Sequence, residues 1–352
     1  MERDAAVSTG LGRPRSWHPY NRRMARKGRS VDELVAGVAA GDRRALARAI
    51  SLVENREPGA AELVGTLYPR TGHAAAIGVT GPPGVGKSSL IGALIHHVRE
   101  AGSTVGVVSV DPSSPFTKGA LLGDRIRLAD HFLDPGVYIR SMSTRGHLGG
   151  LTEAALQTLL LLDAAGYDLV FLETVGAGQS EVEVIGIADV VLLVLMPGSG
   201  DSVQALKAGI MEIPDVIAVN KMDHPAASTM LKEVRSVVAL DPDPSKRPPV
   251  LLTDALRGEG VPELWDAVEK RRAALAADGT LEERRRRNLA AGVTALAAAR
   301  ARDRIERAVA RGDGLSGVIE RVQQRQLDPV TAADEIVSAV LGEERDGTPD
   351  VR

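Results

Sequence analysis

Eight consecutive residues, Gly81-Pro82-Pro83-Gly84-Val85-Gly86-Lys87-Ser88, constrain this chain more than any other stretch. They follow the apolar run Ala76-Ile77-Gly78-Val79-Thr80 and lead into the helical pattern Ser89-Leu90-Ile91-Gly92-Ala93-Leu94. Glycines let successive backbone N–H groups converge on one point at the positive end of the following helix, and a phosphate group suits that point. Lys87 is then placed to reach β and γ phosphates, and the Ser88 hydroxyl to coordinate Mg2+. The loop predicts a strand before it, a helix after it and a nucleotide between, with Gly81 to Ser88 and the adjacent Ser89 as contacts.

Apolar runs and helical patterns alternate through the rest of the chain. Ala76–Thr80, Thr104–Val110, Asp168–Leu172, Ala188–Met196, Pro214–Asn220 and Pro249–Thr253 read as strands, and continuous apolar runs of this kind suit parallel strands covered on both faces. The expected fold is α/β: a P-loop NTPase with a mainly parallel sheet, helices on both faces and ligands at the carboxyl ends of the strands. Before it, Ser30-Val31-Asp32-Glu33 reads as a capping box opening one helix, and Asp42 caps a second that carries Leu46, Ile50 and Val53. After it, Val261-Pro262-Glu263-Leu264-Trp265 opens a helix that runs into Glu282-Glu283-Arg284-Arg285-Arg286-Arg287. Leu289, Val293, Leu296 and Ala297 continue the helical spacing. Leu315, Val318, Ile319 and Val322 mark another helix, and Asp328-Pro329 cap and start a last one. The chain divides accordingly: a disordered basic tail over 1–29, a helical segment over 30–75, the nucleotide domain over 76–270, a helical arm over 271–343 and a disordered tail over 344–352. Helices outside a sheet domain need a surface to cover, which is either their own domain or a second copy of the chain.

Composition narrows the partners. A formal net charge of -3 over 352 residues gives no global attraction to nucleic acid or acidic membranes. The arginine run 284–287 reads as a solvated helix face, because acids flank it and no aromatic residues are interleaved. Cysteine is absent, which removes disulfides, thiolate metal sites and cysteine nucleophiles and suits a reducing cytoplasm. No apolar run approaches the roughly 20 residues needed to span a bilayer. The acid-poor start around Arg22-Arg23-Met24-Ala25-Arg26 reads as a tail or, alternatively, as an organelle transit segment.

Residues that carry chemistry fall at strand ends. Asn220-Lys221-Met222-Asp223 follows Val216–Val219, and the Asp223 carboxylate there can accept from guanine N1–H and the exocyclic amine, a donor pair adenine lacks. Thr253-Asp254-Ala255-Leu256, after the last strand, fits the loop whose backbone N–H meets guanine O6; Ala255 offers that N–H, and Asp254 stands where a small residue is more usual. Asp111 and Asp124 join Ser88 as hard oxygen ligands for Mg2+. Glu173-Thr174-Val175-Gly176 closes another strand. Glu173 belongs to the metal shell and, with Lys87 and Gln179, to the catalytic set. The Gly176 N–H is placed to sense the γ-phosphate and Gln179 to orient water, while Gly176-Ala177-Gly178 is a natural switch.

Together these motifs resemble the MeaB/ArgK (MMAA-type) P-loop GTPases. The resemblance rests on Gly81–Ser88, Val110-Asp111-Pro112-Ser113-Ser114, Gly123-Asp124-Arg125, Thr144-Arg145-Gly146-His147-Leu148-Gly149-Gly150, Glu173-Thr174-Val175-Gly176, Gly178-Gln179-Ser180-Glu181 and Asn220–Asp223. It covers roughly Ser30 to Glu269 and implies a GTPase, slow alone and stimulated by a partner, that works with Mg2+ and GTP or GDP. The implied partner is an adenosylcobalamin-dependent acyl-CoA mutase, most often methylmalonyl-CoA mutase, whose cofactor loading the GTPase gates and which it protects from inactivation. The resemblance also implies a cytoplasmic homodimer joined through the arm, with no nucleic-acid or membrane partner. A further switch over Asp201–Ile210 is implied, whose Lys207 approaches the nucleotide when the mutase is bound and so joins the catalytic set. Arg145 is either an arginine finger in cis or a bridge between its loop and the sheet. The older label for such chains, a LAO/AO transport-associated ATPase or protein kinase acting on periplasmic binding proteins, is the alternative, although no kinase-type catalytic loop is recognisable.

Overall fold

The structure, a computed structural model, describes residues 30–111, 128–143, 150–174, 186–198, 214–311 and 316–342. The expected capping box is present. The Glu33 N–H donates to Ser30 Oγ at 3.2 Å and the Ser30 N–H to the Glu33 carboxylate at 3.0 Å, which fixes the start of α1 (Val31–Ala39). Asp42 caps α2 (Arg43–Glu54) by accepting from the Arg44 N–H at 2.8 Å. A third helix, α3 (Ala60–Leu67), was not expected, since eight residues containing Gly65 give too short a periodic signal.

The described residues form a seven-stranded sheet, parallel throughout. Its strands are β1 (Ala75–Thr80), β2 (Val105–Asp111), β3 (Val137–Ser143), β4 (Leu169–Thr174), β5 (Val190–Leu195), β6 (Val216–Val219) and β7 (Val250–Leu252), in the order β3-β2-β4-β1-β5-β6-β7. Six were expected, and β3 was missed. Among the described residues this edge strand pairs with β2 alone, and its Arg140 and Ser141 interrupt the apolar run that marks the interior strands. Arg140 is neutralised there by Glu54 of α2.

Helices α4 (Lys87–Glu100), α5 (Gly150–Ala164), α6 (Ala227–Val238) and α7 (Val261–Ala277) connect and cover the sheet. Strand alternation sorts the two faces. Ile77, Val79, Val105, Val107 and Phe171 pack with Leu90, Ile91 and Leu94 of α4 and Leu264 and Val268 of α7. On the opposite face Ala76, Val108, Val110, Val170 and Leu172 belong to one core with α5 and the three N-terminal helices. Those helices are therefore part of the sheet's cover. No helix among the described residues is long and apolar enough to cross a membrane.

The C-terminal helices correct two expectations. The helix from Val261 does not run into the arginines; it stops at Asp278-Gly279, where Gly279 takes φ 80°, and Asp278 recaps α8 (Thr280–Arg311) by accepting from the Thr280 N–H at 2.9 Å. Nor is the whole run a solvated face. Arg284 and Arg285 reach the N-terminal edge of the sheet, where Asp189 and Asp215, 3% and 4% exposed, stand just before β5 and β6. Arg285 holds Asp189 with two bonds of 2.7 and 2.6 Å. Arg284 holds Asp215 at 2.6 and 3.1 Å, and Arg271 of α7 adds a third contact at 3.2 Å. Both carboxylates also accept from the sheet backbone, Asp189 from Ala76 and Asp215 from Val191. The Asp189 hydrogen bond raises the Arg285 pKa above its ordinary value. Arg286 and Arg287 do face solvent. Beyond this clamp, α9 (Ser316–Gln323) and α10 (Pro329–Leu341) build a small core with the end of α8, around Val318, Ala332 and Val340.

Candidate active site

The loop after β1 turns at Gly81, φ 140°, where a Cβ would lie 2.1 Å from the Val194 carbonyl oxygen of β5. Gly86, φ 94°, leaves room for a second neighbour: a Cβ there would lie 2.5 Å from Asn220 Nδ2. Only glycine allows the loop to close between β5 and the end of β6. Helix α4 then begins at Lys87 with Ser88 and Ser89 in its first turn, directing its N-terminal N–H groups into the loop.

Lys87 and Ser88 are buried, at 6% and 4% exposure. The Lys87 ammonium lies back over the loop, donating to the Gly81 carbonyl at 2.7 Å and the Pro82 carbonyl at 3.0 Å. Ser88 Oγ donates to Glu173 Oε1 at 2.5 Å, and Ser109 Oγ of β2 donates to Glu173 Oε2 at 2.9 Å. Parallel pairing makes this possible, because Glu173 on β4 stands directly across from Ser109 on β2 and from Val79 on β1. Asp111 ends β2 two residues further on. On the other face, Thr174 bonds Thr80 at 3.3 Å.

Asn220 ties the guanine-type signature to the phosphate loop. Its Nδ2 donates to the Val85 carbonyl at 2.9 Å, while its Oδ1 accepts from the Ala255 N–H at 3.1 Å and Thr253 Oγ1 at 3.3 Å. Lys221, φ 60°, lays its ammonium 3.3 Å from the Gly84 carbonyl and 3.1 Å from Met196 Sδ. Asp223 is exposed at the same edge. The Ala255 N–H was expected to be available; in the structure Asn220 takes it. Asp254 folds back on its own loop. Its buried carboxylate accepts from the Leu256 and Arg257 N–H groups at 2.9 and 3.1 Å and so shapes the loop, leaving Leu256 at the tip 90% exposed.

The structure thus brings together Gly81 to Ser89, Glu173, Asn220, Lys221, Asp223, Thr253, Ala255 and Leu256 at the carboxyl edge of the sheet. Asp124, Arg145, Gly176, Gln179 and Lys207 lie outside the described residues. Ser109 was missed as a site residue, although a serine within the aliphatic run Val107-Val108-Ser109-Val110 was the signal. Among the described residues no three His, Asp or Glu side chains group to hold a metal by themselves. Ser88 and Glu173 nevertheless form the hard-oxygen pair that suits Mg2+, which fills its remaining positions with water and phosphate oxygens.

The family model for the methylmalonyl Co-A mutase-associated GTPase MeaB matches residues 46–310. A relative in Pyrococcus abyssi that carries a GTPase name is 45% identical over 316 residues, spanning 89% of this chain and 97% of the relative. The GTPase ArgK of Escherichia coli is 37% identical over 264 residues, 72% of this chain and 80% of ArgK. The mitochondrial methylmalonic aciduria type A homolog of Mus musculus is 35% identical over 276 residues, 73% of this chain and 66% of the homolog. The crystal structure of a LAO/AO transport system kinase matches with a TM-score of 0.63 at 27% identity, covering 88% of this chain and 97% of that one. With a family match that spans the whole sheet and relatives that share it over most of their length, this chain belongs to the MeaB family of P-loop GTPases.

Proposed function

We propose that this GTPase uses its nucleotide state to gate cofactor loading into an adenosylcobalamin-dependent acyl-CoA mutase, methylmalonyl-CoA mutase first among them, and to protect that mutase. The family match carries this reading, since its description names association with that mutase. The site geometry supports the nucleotide half of it, because Asn220 makes the phosphate loop and the Thr253–Leu256 loop one unit. A change at either end of a guanine nucleotide would be felt at the other.

In this reading Gly81 to Ser89 cradle the phosphates and Lys87 leaves the Gly81 and Pro82 carbonyls for the β and γ phosphates. Asp223 accepts from the guanine edge, and the Ala255 N–H turns from Asn220 to O6. Ser88, Glu173, Asp111 and Asp124 would hold Mg2+, which when bound neutralises phosphate charge. Gly176, Gln179 and Lys207 keep the assignments of γ-phosphate sensor, water-orienting residue and partner-dependent switch lysine. The arm over 271–343 joins two copies, with Leu289, Val293, Val330 and Val337 as exposed apolar positions, and the setting is the cytoplasm. A protein-kinase activity is the second reading, favoured by the name of the neighbouring crystal structure; transfer of γ-phosphate to protein rather than water would mark it.

Loading is the direct test. Apo-mutase is mixed with adenosylcobalamin and this protein, and cofactor uptake is followed by cobalamin absorbance. Uptake is expected to differ sharply between the GTP and GDP states. The same uptake with GTP, with GDP and without the protein would contradict gating.

A further inference from the structure

On the sheet face covered by α4, two apolar rows run toward the phosphate end: Val105 and Val107 on β2, and Leu169 and Phe171 on β4. Each row ends in a polar residue, Ser109 in the first and Glu173 in the second. The two stand directly across from one another and are 2% and 4% exposed. A serine that continues an aliphatic row this deeply gains nothing from apolar packing, and a buried hydroxyl is kept where it has a partner. Here the partner is Glu173 Oε2 at 2.9 Å.

The carboxylate is therefore gripped from both sides. Ser88, on the helix that starts at the phosphate loop, donates to Oε1, and Ser109, on a rigid interior strand, donates to Oε2. Two anchors on different elements fix both the position and the plane of the carboxyl group, and fixed geometry of this kind lets a second residue tune a metal ligand. We infer that Ser109 is a positioning residue for hydrolysis: it holds Glu173 so that its other oxygen stays on Ser88, presetting the pair for Mg2+. The inference rests on the assignment of Ser88 and Glu173 to the metal.

Ser109→Val, Ser109→Thr and the native protein separate this from a packing effect, because valine and threonine have nearly the same shape and only threonine keeps the hydroxyl. Affinity for a fluorescent GDP analogue is titrated against Mg2+, and kcat and KM for GTP are measured alongside. Ser109→Val is expected to need about tenfold more Mg2+ for the half-maximal effect and to lose a similar factor in kcat. Its GDP affinity in EDTA and its KM for GTP are expected to stay near native, and Ser109→Thr to recover both losses. Should the valine variant not fold, Ser109→Ala removes the hydroxyl without adding bulk and carries the same expectation. A native Mg2+ midpoint in Ser109→Val, or equal impairment of the valine and threonine variants, would overturn the positioning role while leaving the metal assignment standing. Native GDP affinity indifferent to Mg2+ would overturn both.

Discussion

GTP hydrolysis by the Lys87→Ala protein is expected to fall by about a hundred- to a thousandfold, the usual scale for removing one preorganised charge from a site where charge shifts during reaction. The ammonium is already inside the loop, bonded to the Gly81 and Pro82 carbonyls, so little rearrangement separates it from phosphate oxygens. Its bonds to the Gly81 and Pro82 carbonyls lie within the loop, and the variant is expected to fold as the native protein does. Steady-state phosphate release, read beside a thermal melt, checks both halves. Hydrolysis within about threefold of native would mean that Lys87 stabilises little of the transition state.

The second large effect lies at the opposite edge of the sheet. Asp215→Ala is expected to destabilise the protein by about 3–5 kcal/mol, since it leaves the partly buried Arg284 and Arg271 without their carboxylate. The Val191 N–H loses its acceptor as well. A denaturant midpoint measured on the full chain reads this. Adding Arg284→Met to the same chain should recover part of the loss by removing the orphaned charge, a coupling that a solvated arginine could not show. An Asp215→Ala midpoint indistinguishable from native would return the arginine run to an ordinary surface.

That clamp also shows where the sequence stops being legible. The phosphate loop, Asn220–Asp223 and six of the seven strands were readable because each is local: glycine spacing, a four-residue signature, or an apolar run. Arg284 and Arg285 were misread because their partners, Asp189 and Asp215, are distant in the chain and lie just ahead of strands, where a lone aspartate reads as a turn residue. The missed β3 has a related cause: Arg140 looks wrong for a buried strand until Glu54 of α2 is placed beside it. Ser109 was overlooked because its meaning depends on register across β2 and β4. Local chemistry was visible, and pairing between distant polar residues was not.

Steady-state GTP hydrolysis by the full chain, alone and with the methylmalonyl-CoA mutase of the same organism and with ATP as control, tests the proposed function most directly. Acceleration by the mutase, with GTP and not with ATP, is the predicted result. GTP turnover indifferent to saturating mutase, or equal turnover of ATP, would contradict it.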